Sequence, residues 1–158
     1  MKKIFFLSLL FASLGANAQK EGDTLYSRCP VSVLDTATGN NYFIIHQPAT
    51  IKTYRAHGDF VVVIEQKNQF FTMFFHSRFK NKKKYQISLD DDGRKEMSAK
   101  YSFRSGDDVA YIDVSNGTAV TTYDKATKLW HVVLEGLIAN LGDTRVTYFK
   151  AKADFYLK

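Results

Sequence analysis

Apolar positions recur along this chain with a period of two rather than 3.6, the spacing that sets alternate side chains on one face of a strand. Val31–Leu34, Tyr42–His46 and Thr50–Tyr54 are short apolar or β-branched runs bounded by turn residues. Phe60-Val61-Val62-Val63-Ile64 is continuous and β-branched, which predicts a central strand covered on both faces. Lys67-Asn68 separates it from Phe70-Phe71-Thr72-Met73-Phe74-Phe75, and two apolar runs joined by a short polar loop predict a hairpin. Further strands are expected at Tyr85–Leu89, Ala99–Phe103 and Val109–Val114, punctuated by Asp90-Asp91-Asp92-Gly93 and Ser105-Gly106-Asp107. Asn116-Gly117 suits a type I′ turn, so Ala110–Ser115 and Thr118–Tyr123 are expected to pair as a tight hairpin. The last strands are expected at Leu129–Ile138 and Thr144–Leu157, the second bent or broken near Lys150. The stretch 129–141 also carries a helix-like spacing of apolar residues before Gly142. Its β-branched Val132, Val133 and Ile138 and its interior Gly136 favour a strand.

About eight to ten short strands with regular turns predict an all-β fold. An antiparallel β-sandwich is the leading expectation, and a lipocalin-like up-and-down β-barrel the alternative.

The N-terminus breaks the alternation. Lys2 and Lys3 precede the apolar run Ile4–Leu14, and Ala16-Asn17-Ala18 follows as a small-x-small cleavage site. This order predicts a secretory signal peptide over residues 1–18, an N-terminal extension over 19–30 and one β-domain over 31–158. The apolar run is shorter than the roughly 20 residues a membrane-spanning helix needs. The Ala-Asn-Ala-Gln ending resembles signal peptides of Gram-negative bacterial exported proteins, which implies a periplasmic or extracellular location. Cleavage of 18 residues from 158 leaves 140, and the loss of Lys2 and Lys3 lowers the net charge from +6 to +4. Cys29 lies eleven residues past Ala18 rather than at the cleavage point, so no lipid anchor is expected, and no later segment suits a transmembrane helix. As the chain's one cysteine, Cys29 cannot form an internal disulfide and is expected to be buried.

Chemistry-bearing motifs are sparse. His46, His57, His76 and His131 show no recognised metal spacing, so no metal site is expected. There is no Gly-x-Ser-x-Gly elbow and no phosphate-binding or dinucleotide loop, so neither catalytic residues nor a cofactor is assigned. The acidic run 90–93 with Glu96 lacks the ligand spacing of a calcium loop and reads as a turn. Two features remain. Arg78, Lys80, Lys82, Lys83 and Lys84 place five cations in seven residues without an acid, an anion-binding candidate. Phe70 and Phe74 share one strand face, and with Trp130 they form a candidate aromatic binding face, although Trp130 also suits a core position.

These features point to an exported, non-catalytic binding or accessory protein acting through a sheet face or the basic loop. Its expected partner is an anionic glycan, an envelope component or another protein; nucleic acid is not expected outside the cytoplasm. A periplasmic inhibitor or immunity-type protein and a small envelope-polysaccharide hydrolase or lyase are the alternatives.

Overall fold

A computed structural model describes residues 22–89, 96–141 and 145–158, except the side chain of Leu141. The segment assigned to a signal peptide and the acidic run 90–93 lie outside the described residues. Within them the chain is all-β, with no helix and ten strands in a single sheet that curls into a half-barrel.

In chain order the strands are β1 (Gly22–Tyr26), β2 (Val31–Asp35), β3 (Ala49–Ala56), β4 (Asp59–Gln66), β5 (Gln69–Phe75), β6 (Lys83–Ser88), β7 (Met97–Ser105), β8 (Asp108–Asp124), β9 (Leu129–Leu141) and β10 (Val146–Leu157). Their spatial order is β1-β3-β4-β5-β7-β6-β8-β9-β10-β2, with β7 also paired to β8. Every ladder is antiparallel except the single parallel bridge Ile87↔Met97 between β6 and β7. The first half of β8 pairs with β7 and its second half with β6, so β6 and β7 lie end to end along it.

The alternation becomes a two-sided sheet. Inward-facing Ile51, Ile64, Phe71, Met73, Met97, Val132, Leu134 and Phe155 are all at most 1% exposed and join one core with residues of every strand from β2 to β10. Cys29 is buried in the same core. On the opposite face of β4, Val61 is fully buried between its cross-strand neighbours Tyr54 and Phe74. Neighbouring side chains therefore cover that face of the β-branched run without a second sheet.

Four expectations change. β8 runs straight through Asn116-Gly117, so the predicted hairpin does not form. A bulge between Val114 and Asn116 absorbs the irregularity, and Gly117, at φ 154°, lies opposite Gly136 of β9. A Cβ on Gly117 would sit 2.4 Å from the Glu135 carbonyl oxygen, and one on Gly136 2.5 Å from Val114 Cγ1. The glycines thus serve a close crossing of two strands at a bend. Residues 42–46 are not a strand, because side chains take their backbone bonds. Asn41 Oδ1 accepts from the N–H of Val33 and Phe43, while the Gln66 amide accepts from Ile44 N–H and donates to the Ile44 carbonyl. Phe43 plugs the core from this loop, edge-on to Tyr101 at 5.7 Å. β10 is unbroken at Lys150, since its pairing with β9 runs continuously from Val146 to Leu157. Finally, the segment expected as an N-terminal extension contains β1, which pairs with β3 at one margin of the sheet. The strand reading of 129–141 holds as β9.

Candidate functional site

A cleft opens at the end of the sheet where β3 turns into β4, β9 begins and β10 finishes. Arg55, Phe60, Arg78, Phe79, Trp130, Leu157 and Lys158 line it, enclosing about 290 Å³. Of the residues singled out from the sequence, Arg78 and Trp130 meet here. Trp130 sits on the inner side of β9, half-buried, as the cross-strand partner of Leu157.

Phe79 organises the cleft. Its ring lies 4.7 Å from Trp130, 4.9 Å from Phe75, 5.0 Å from Phe60 and 6.5 Å from Tyr85. Phe79 interrupts the basic run and turns inward while Arg78 and Lys80 stay exposed. Nothing in the periodicity marked it, because residues 76–82 belong to no strand.

Side-chain bonds fix this loop. The buried Tyr85 hydroxyl donates to the Arg78 carbonyl at 3.0 Å and accepts from the Lys80 N–H at 2.8 Å. Thr121 Oγ1 donates to the Lys80 carbonyl at 2.6 Å, and Asn81 Oδ1 accepts from the Tyr123 N–H at 2.7 Å. Arg78 is therefore carried on an anchored backbone. Pre-organisation of this kind reduces the ordering cost of binding.

The other predicted cations do not join the cleft. Lys83 forms an ion pair with Glu96, which holds the Lys83 ammonium above and the Glu96 carboxyl below their ordinary ranges. Lys80, Lys82 and Lys84 are exposed. Phe70 and Phe74 lie on the outer face of β5, away from Trp130, and are half-buried there. Lys100 Nζ lies over Phe74 at 5.0 Å and over Tyr111 at 5.3 Å, so this outer patch carries a cation–π pair.

Beside that patch runs a chain of side-chain hydrogen bonds that links β4 to β7 through His76, the residue after β5. His76 Nδ1 meets Asp59 Oδ2 at 2.9 Å, and His76 Nε2 meets Ser98 Oγ at 2.9 Å. A cavity of about 90 Å³, lined by Ser98, Lys100 and Phe74 among others, adjoins it. His131 pairs with Asp154 at 2.6 Å, while His46 and His57 are exposed. Among the described residues no three His, Cys, Asp or Glu side chains converge in a way that could hold a metal ion. Among them, too, no helix is long and apolar enough to cross a membrane.

Compared with protein-family models, with curated proteins and with solved structures, the chain matches none.

Proposed function

We propose that the protein is an exported, non-catalytic binding protein that takes an anionic, ring-bearing ligand, an acidic glycan, in the cleft between Arg78 and Trp130. The observation that carries this reading is the meeting of Arg78, carried on an anchored backbone, with an aromatic pair, Phe79 and Trp130, in one cleft whose described lining holds no acidic side chain. A guanidinium suits a carboxylate through two parallel hydrogen bonds. An indole suits the C–H face of a sugar ring while its N–H stays available for a hydrogen bond.

Trp130 is the chain's one tryptophan, so docking reports through its fluorescence. Titration with an oligogalacturonate at low salt should change that fluorescence, and a neutral cello-oligosaccharide should not. Arg78→Gln should weaken binding by about tenfold and flatten its salt dependence. No response to the acidic oligosaccharide, or equal responses to both, overturns the reading.

A second reading, a hydrolase that removes ester groups from a polysaccharide, draws on the Asp59–His76–Ser98 chain. A carboxylate on Nδ1 and a hydroxyl on Nε2 is the arrangement in which imidazole takes a serine proton. Ser98 Oγ would attack the ester carbonyl as His76 accepts its proton. His76 would return that proton to the departing alcohol, and water would release the acid from Ser98. A fluorophosphonate probe that fails to label Ser98 overturns this reading.

A further inference from the structure

The opposite end of the sheet holds a second and larger cavity, of about 340 Å³. Its position follows from the bulge in β8. β8 and β9 stay paired only as far as Val114↔Ile138, and residues 139–141 of β9 continue with β10 alone. The first half of β8 leaves with β7, and the opening between them is lined by Tyr101, Phe103, Ile112, Ile138 and Asn140. Tyr42 and Phe149 close the other wall, edge to face at 5.4 Å. Phe103 and Tyr42 are 38% and 41% exposed, which leaves the mouth open.

Two polar groups stand out in this apolar lining. Gln69 Oε1 is buried and has no hydrogen-bond partner. A buried acceptor left empty is costly, and a turn of the half-buried Gln69 amide toward the cavity would let a ligand donor recover that cost. The Tyr101 residue is only 5% exposed, and burial, with Tyr42 beside it, pushes its phenol up to about 12. Tyr101 thus remains a neutral O–H donor through the physiological range. Gln69 and Tyr101 offer an acceptor and a donor, Asn68 and Asn140 add amides to the lining, and the rest is ring and aliphatic surface. That pattern, in a volume within the usual span for small ligands, selects for chemistry as well as size.

We infer that this cavity is a binding site for a small, uncharged, ring-bearing alcohol or phenol, whose apolar body fills the space and whose single hydroxyl bonds Gln69 Oε1 once the Gln69 amide turns toward the cavity. The site is separate from the Arg78–Trp130 cleft, shares no lining residue with it and would take a ligand of different chemistry.

The probes are 2-naphthol and naphthalene, one with a hydroxyl and one without, titrated into the ¹⁵N-labelled protein and followed by amide chemical shifts. With 2-naphthol, shifts should concentrate at Gln69, Tyr101, Phe103 and Ile138. Its affinity should exceed that of naphthalene by about five- to tenfold, the range of one hydrogen bond to a buried acceptor. Gln69→Leu should abolish that preference while still binding naphthalene. The same variant should also be at least as resistant to urea as the parent, because it removes an unpaired acceptor rather than a bond. Shifts confined to other surfaces, equal affinities for the two probes, or a Gln69→Leu variant less stable than the parent would each overturn the assignment.

Discussion

The two ends of the curled sheet are made from the same strands and present opposite chemistry. At the end where β4 begins, a loop enters the sheet with Phe79 at its tip, fills the interior with rings and leaves Arg78 above them. At the end where β4 finishes, the loop 41–47 inserts Phe43 and sets Tyr42 against the parting of β8 and β9 without filling it, and a mostly apolar hollow remains. Strand alternation supplies an apolar interior to both. What differs is where the intervening loops are tied down by Tyr85 and Thr121 on one side and by Asn41 and Gln66 on the other. The character of each end is therefore decided by a few side-chain hydrogen bonds to loop backbone.

That contrast can be broken most severely at its midpoint. Gly117→Ala places a Cβ against the Glu135 carbonyl at a bend that both ends depend on. It should cost about 4 kcal/mol or more in urea unfolding and erase both clefts together. Phe79→Ala should cost about 3 kcal/mol through the cavity left among Phe60, Phe75 and Trp130. In the folded fraction it should abolish acidic-glycan binding while 2-naphthol still binds. Loss of both would show that the ends are coupled. Tyr85→Phe keeps the ring and removes the hydroxyl that bonds Arg78 and Lys80, with an expected loss of about 1–2 kcal/mol. Amide exchange should quicken at Lys80 and leave Ile44 unchanged.

The smallest effect is a pH limb. A phenol whose folded pKa is raised contributes stability that is complete below its unfolded value of 10.0 and is lost as pH climbs toward about 12. Tyr101→Phe should therefore flatten the decline in stability between pH 10 and 12, measured by urea midpoints. A decline as steep as the parent's would place the alkaline sensitivity elsewhere than the apolar end.

Much of the sheet was readable from the residues themselves. The run 60–64 could only be a well-covered strand, and Lys67-Asn68 does join it to β5. Other features depended on distant groups. Asn-Gly invites a tight turn, but a close crossing of two strands also requires glycine, and only the register with Gly136 distinguishes the two. The run 42–46 has strand-like residues, yet its backbone is bonded by Gln66, 22 positions beyond Ile44. In the candidate cleft, Arg78 stood out for its charge and Trp130 for its ring. Phe79 did not, because a single aromatic in a basic loop acquires meaning only when Phe60, Phe75, Tyr85 and Trp130 converge on it. Gln69 was silent for the same reason, since an unpaired acceptor is a property of surroundings.

The seam of the sheet sets the order in which the molecule can be finished. β2 finds its ladder only on β10, and Tyr26 bonds to the backbone of Tyr156, 130 positions away, as both donor and acceptor. The β3–β4–β5 hairpins can form early from near neighbours, whereas residues 31–35 must wait for a strand made more than a hundred residues later. Closing so long a loop makes completion a slow, late event. Until then the free edge of β9 is the surface that a chaperone or a second chain would meet, and closure by β10 and β2 is what ends that exposure.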